Sequence, residues 1–82
     1  MIKLIDINFQ DRKFTAKYIP EDSNAKLEVE YDAGSGKYMW EKSEEYGDTY
    51  GRMAVNGLKE LYKDLEDKTV SEIPKEKIVM WY

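Results

Sequence analysis

The sequence predicts an α+β domain in which one amphipathic helix covers one face of an antiparallel sheet. Two observations support this prediction. One stretch repeats apolar residues every three or four positions, as one face of a helix does. The other apolar residues fall into short segments that alternate with polar ones, which is typical of strands. A chain of 82 residues has the length of one small domain with one core, so residues 1–82 are expected to form a single unit.

The helical stretch extends over residues 48–67, and Asp48 or Thr49 is expected to cap its first amides through a side-chain oxygen. Gly57 lies in the middle of the apolar stripe. Because a glycine there costs about 1 kcal/mol relative to alanine, we expect the helix to approach the sheet closely at this point. The apolar stripe consists of Tyr50, Met53, Ala54, Gly57, Leu58, Leu61, Tyr62 and Leu65.

Four strands are predicted before the helix, and their apolar alternation predicts a meander. The register follows if each hairpin closes with a four-residue turn, at 10–13, 21–24 and 32–35, because a slip of one residue would turn a strand's apolar residues to solvent. Val29 then lies opposite Tyr38. This register turns eleven residues toward the helix: Ile5, Ile7, Phe9, Phe14, Ala16, Tyr18, Leu27, Val29, Tyr31, Tyr38 and Trp40.

The opposite face of the predicted sheet is charged. Lysines and carboxylates face each other across neighbouring strands, and such cross-strand pairs contribute about 0.2–1 kcal/mol each. This face is therefore expected to be solvated. The predicted pairs are Asp6–Lys17, Lys17–Glu28, Glu30–Lys37 and Lys26–Glu41.

A fifth strand is predicted at residues 78–82, after the helix. The helix returns the chain, so this strand runs parallel to the fourth strand and antiparallel to the first. Pairing with the first strand gives a fully antiparallel sheet in the order 5-1-2-3-4. The order of elements is then β-β-β-β-α-β.

The residue types argue against catalysis, a metal site and a bound cofactor. The chain has no histidine and no cysteine, so the usual nucleophile–base pairs and nitrogen or sulfur metal ligands are missing. The carboxylates around Glu44 and Glu45 lack the spacing of a calcium loop. The segment 34–37 has the glycines of a phosphate-binding loop but not the full motif, and is interpreted as a hairpin turn.

Composition also bears on the compartment. The longest apolar run, residues 78–82, is far too short for a membrane span, and the absence of cysteine gives no sign of a disulfide-stabilised secreted protein. A cytoplasmic protein is expected.

Some apolar residues have no place in the predicted core. Ile2, Leu4 and Ile19 fall on the charged face. The fifth strand adds either Val79 and Trp81 or Ile78, Met80 and Tyr82 beside them. We therefore expect a non-catalytic protein-interaction module that acts through the edge formed by the first and last strands, either as a homodimer or on a protein partner.

Two alternatives involve nucleic acid. The net charge is −4, which disfavours binding to a phosphate backbone. The segment 21–48 carries three lysines and nine carboxylates, so the domain is alternatively an acidic nucleic-acid mimic that inhibits a basic-groove protein. A weak single-stranded nucleic-acid binder is a further alternative, since aromatic residues on a sheet suit base stacking. The acidic surface would comprise Glu28, Glu30, Glu41, Glu44 and Glu45.

Overall fold

A computed structural model describes residues 2–20, 24–44, 46–67 and 72–79. Within these ranges the chain forms five strands and one α-helix. The elements are β1 (Ile2–Gln10), β2 (Lys13–Pro20), β3 (Leu27–Asp32), β4 (Tyr38–Trp40), α1 (Thr49–Glu66) and β5 (Lys77–Val79).

The five strands form one antiparallel sheet in the order β4-β3-β2-β1-β5, and α1 packs on one of its faces. This confirms the predicted α+β class, the helix and the strand order. Within the described ranges, no helix combines the length and apolar composition that a membrane span requires.

The first hairpin closes with two residues, Asp11 and Arg12, which have φ angles of 53° and 65°. Two successive residues with positive φ are typical of the turn whose twist matches that of antiparallel strands. Next to this turn the predicted register is confirmed, because Phe9 pairs with Phe14.

A β-bulge interrupts β1 at Asp6. Ile5 pairs with Lys17 and Asn8 pairs with Thr15, so β1 has two residues where β2 has one. Asp6 has a φ of 51°, a left-handed conformation that aspartate tolerates better than most residues.

The bulge corrects the prediction for the first half of β1. Leu4 pairs with Tyr18, whereas the predicted register placed Ile5 there. Leu4 and Ile2 therefore point into the core beneath α1 and not to the charged face. Ile5 turns to the opposite face, where it is 9% exposed and lies outside the core cluster.

The register between β2 and β3 is confirmed, with Ala16 opposite Val29 and Tyr18 opposite Leu27. Between β3 and β4 the prediction is wrong by two residues, because Val29 lies opposite Trp40 and not opposite Tyr38. The shift is even, so the alternation of side chains still places Tyr38 and Trp40 on the helix side.

The cause of the shift is the position of the β3–β4 turn. The backbone N–H of Asp32 donates to the Lys37 carbonyl at 2.8 Å, and the Asp32 carboxylate accepts the amides of Gly34 and Ser35. The turn thus begins one residue later than predicted. The predicted pairs Glu30–Lys37 and Lys26–Glu41 are also wrong, because Glu30 lies opposite Met39 and the Glu41 amide donates to the Glu28 carbonyl. The predicted pair Asp6–Lys17 is wrong because Lys17 lies opposite Ile5.

The core lies between α1 and the sheet. Gly57 is buried at the contact with two strands: a Cβ on it would lie 2.6 Å from Val79 Cγ2 and 3.1 Å from Leu4 Cδ1. This confirms the expected close approach of helix to sheet. The buried hydrophobic cluster comprises Ile2, Leu4, Ile7, Phe14, Ala16, Tyr18, Val29, Ala54, Val55, Leu58, Leu61 and Val79.

The start of α1 is held by Trp40. Asp48 is the N-cap residue but makes no side-chain capping bond, contrary to the prediction; its carboxylate accepts a hydrogen bond from Trp40 Nε1 at 2.9 Å. The Trp40 ring packs against Gly51, where a Cβ would clash with it. The absence of a side chain at Gly51 therefore allows the helix to pack directly against the Trp40 ring of β4.

Tyr18 is fully buried, and its hydroxyl donates to the Glu41 carbonyl oxygen. Burial raises the pKa of the Tyr18 hydroxyl above its ordinary value, and the negative charges of Glu41 and Asp48 raise it further. An unfolded tyrosine, with a pKa of about 10, then loses its proton before the folded one does. Stability is consequently expected to fall as the pH rises from about 10 toward the raised pKa.

We expect Tyr18→Phe to cost about 0.5–1.5 kcal/mol at pH 7, because one buried hydrogen bond is lost, and to flatten the alkaline decline. Urea unfolding between about pH 7 and 11 measures both effects. Tyr38→Phe, at an exposed tyrosine, is the matched control. Equal alkaline slopes for Tyr18→Phe and the unmodified chain would contradict this account.

Candidate interaction surfaces

The sheet face opposite α1 is open, because no described element packs against it. Its centre is a shallow depression of about 300 Å³ that holds side chains of both charges. Lys17 lies opposite Glu28 there, as predicted. The depression is lined by Asp6, Asn8, Thr15, Ala16, Lys17, Glu28, Val29 and Glu30.

The acidic residues of this face alternate with lysines. Glu30 forms an ion pair with Lys13, with 2.7 Å between Oε1 and Nζ, and this hydrogen bond raises the Lys13 pKa. Glu28 and Glu41 are adjacent, since the Glu28 amide donates to Glu41 Oε1 at 3.1 Å. Glu44 is exposed in the segment after β4, and Glu45 lies outside the described residues.

The residues predicted to bind a partner separate into two groups. Ile2, Leu4 and Val79 are at most 7% exposed and belong to the core, so their assignment to a surface is wrong. The bulge at Asp6 is the reason, since it turns Ile2 and Leu4 inward. Ile19 is half-buried on the open face, and Trp81 lies outside the described residues.

The structure brings three isoleucines together at the β5 end of the open face. Ile78 and Ile19 flank Lys3 in one row across β5, β1 and β2, and Ile5 is the next residue of β1 on this face. We call Ile5, Ile19 and Ile78 the isoleucine patch; of these three, Ile78 is exposed, Ile19 is half-buried and Ile5 is 9% exposed. Of the two orientations open for the fifth strand, the one that exposes Ile78 is the one observed; Met80 and Tyr82 lie outside the described residues.

The prediction turned Ile5 toward the helix, although the sequence carried a signal that this strand does not alternate regularly. Leu4 and Ile5 are consecutive apolar residues in a strand that otherwise alternates. Such a break in alternation accompanies a bulge but is equally typical of a strand buried on both faces. The positive φ of Asp6 shows that the strand has a bulge and is not a regular strand buried on both faces. The amino-acid composition does not indicate this φ angle.

A second candidate surface lies at the other end of the sheet, along β4. Tyr38 and Met39 are 54% and 47% exposed. The Tyr38 and Trp40 rings stack with centroids 5.6 Å apart, and Lys59 Nζ lies 5.3 Å from the Tyr38 centroid. The sequence prediction missed this surface because it placed Tyr38 in the core and Met39 on the charged face.

Among the described residues, no three side chains of the histidine, cysteine, aspartate or glutamate types are grouped so that they would hold a metal ion. Comparisons of the chain with protein-family models, curated proteins and solved structures find no match.

Proposed function

We propose that the domain is a non-catalytic protein-interaction module that binds a partner protein at the β5 end of its sheet. The observation that carries the proposal is Ile78, which is 57% exposed on a terminal strand. The Ile78 side chain contributes little to the core, because the other face of β5 already contributes Val79. Its apolar surface is therefore available to bind a partner.

The partner segment that suits this surface is an extended strand. Edge strands present unpaired backbone groups that a further strand can pair with, and the side chains that flank the edge supply specificity. A strand added beside β5 would place alternate apolar side chains next to Ile78. Binding of this kind depends on desolvation and main-chain hydrogen bonds more than on charge.

The experiment is an affinity capture with the intact chain at about 0.1 M and about 1 M salt, since the higher concentration shortens the screening length from about 10 Å to about 3 Å. We expect the captured protein to be retained at high salt and lost with Ile78→Asp. Asn56→Asp is the matched control, because it adds the same negative charge at an exposed helix residue away from both edges of the sheet. Circular dichroism checks that each variant is folded.

Hydrogen exchange identifies the contact. The amides of Lys77–Val79 should exchange more slowly in the captured complex than in the free domain. Unchanged capture by folded Ile78→Asp would overturn the proposal. Release at high salt, with weakened capture by Glu28→Gln and Glu41→Gln, would instead favour the acidic nucleic-acid mimic.

A further inference from the structure

The free edge of β4 is a second interaction surface, at the opposite end of the sheet from the isoleucine patch. Within the described residues β4 pairs with β3 alone. Of the residues that the structure describes, three large hydrophobic ones are exposed: Tyr38, Met39 and Ile78. The strand is short. It contains neither a proline nor a β-bulge, two features that commonly prevent a further strand from pairing at an edge.

The hydrogen bonds to β3 define which backbone groups of β4 face outward. The Lys37 carbonyl accepts from Asp32, and the Glu41 amide donates to the Glu28 carbonyl. Bonding residues alternate along an antiparallel strand, so Met39 also faces β3. The N–H and C=O groups of Tyr38 and Trp40 consequently point away from the sheet, toward the free edge.

We infer that this edge pairs with the same edge of a second copy of the chain, antiparallel and about a two-fold axis at Met39. The Tyr38 amide and carbonyl bond the carbonyl and amide of Trp40 in the second copy, and the reciprocal pair forms on the other side of the axis. Met39 lies opposite Met39 of the second copy. The two sheets join into one of ten strands, with both helices on the same face.

The side chains are complementary in this register. Lys37 lies opposite Glu41 of the second copy on the open face, on both sides of the axis. Tyr38 lies opposite Trp40 on the helix face, where aromatic cross-strand pairs are favourable. A shift of two residues in either direction would put Met39 opposite Lys37 or Glu41 and would lose both ion pairs.

The self-pairing goes beyond the proposed function, because it uses the other end of the sheet and leaves Ile78 free for a partner. Strand addition over so few residues buries less area than a stable dimer usually does, so the affinity is expected to be weak. A dissociation constant of roughly 10–100 μM is expected, since weak, transient complexes lie at this small end of the size range.

The first test is a disulfide across the axis. The chain has no cysteine, and residues at a non-hydrogen-bonded antiparallel pair have Cα atoms about 4.5 Å apart, within the range that a disulfide spans. We expect Met39→Cys to form a dimer of twice the 9.7 kDa chain mass under mild oxidation. Ile78→Cys, at the other edge, is the control and should cross-link at least tenfold more slowly. Equal rates would overturn the proposal.

The second test exchanges the charges. Lys37→Glu replaces both ion pairs with carboxylate pairs and should weaken self-association at least tenfold by sedimentation equilibrium. Lys63→Glu, on the exposed helix surface, makes the same change in net charge and should have little effect. The double variant Lys37→Glu with Glu41→Lys restores both pairs and should recover association.

The double variant gives the deciding measurement. Glu41→Lys alone cannot be interpreted in the same way, because it also removes the acceptor of the Glu28 amide. An unmodified chain that stays monomeric at about 1 mM would refute the pairing, since this is well above the expected dissociation constant. So would a double variant no better associated than Lys37→Glu.

Discussion

Phe14→Ala is expected to destabilise the domain by about 3–5 kcal/mol. Phe14 is fully buried, and its ring contacts Phe9, Tyr31 and Tyr62 at centroid distances of 4.4, 6.4 and 6.5 Å. These partners come from β1, β3 and α1, so the truncation leaves a cavity where three elements meet. Small domains are stable by roughly 5–15 kcal/mol in total, so much of the population should unfold on moderate heating.

Urea unfolding followed by circular dichroism measures the loss. Tyr38→Ala is the control, because it removes another large ring that is 54% exposed, and it should cost less than about 1.5 kcal/mol, the upper value for an aromatic pair. Equal losses for the two variants would mean that Phe14 is not at the centre of the core.

Leu4→Ala is expected to lower the free energy of unfolding by about 2–5 kcal/mol, because its truncation leaves a cavity. Leu4 is fully buried between the sheet and Gly57 of the helix. The result tests the bulge directly. If β1 paired with β2 without the bulge, Leu4 would lie on the open face, and its replacement would change stability by less than about 0.5 kcal/mol.

Ile78→Ala is the matched control for Leu4→Ala, since it truncates an aliphatic side chain that is 57% exposed on the neighbouring strand. The same unfolding measurement compares the two. A loss for Ile78→Ala as large as for Leu4→Ala would contradict the orientation of β5.

Much of the fold could be predicted because it depends on periodicity. The apolar stripe of α1 and the alternation in β2 and β3 indicate which side chains are buried. Because the chain has one helix and one sheet, their apolar faces can be buried only against each other, which leaves few arrangements. The register of Ala16 with Val29 follows from the same alternation. The predicted register of β4 was wrong by two residues, but each β4 side chain still lies on the predicted face of the sheet, because side chains alternate with a period of two residues.

The candidate surfaces could not be predicted in the same way. Each depends on a single backbone irregularity: the bulge at Asp6 decides whether Leu4 or Ile5 faces the helix, and the Asp32–Lys37 turn decides what lies opposite Met39. A one-residue change at the bulge exchanges the two faces of β1 beyond it, whereas a shift of the turn changes which residues of β3 and β4 lie opposite each other. Local conformations of this kind depend on tertiary packing, which composition does not reveal.

The pairing of β1 with β5 has a consequence for the kinetics of folding. The first four strands follow one another with short connections, so their contacts are local, and hairpins of this kind form within about 1–10 μs. Ile2 and Val79, by contrast, meet only when almost the whole chain has been closed into a loop, and contacts between such distant residues slow folding. β5 is thus expected to dock last, after the transition state, and mutations in this strand should accelerate unfolding more than they slow folding.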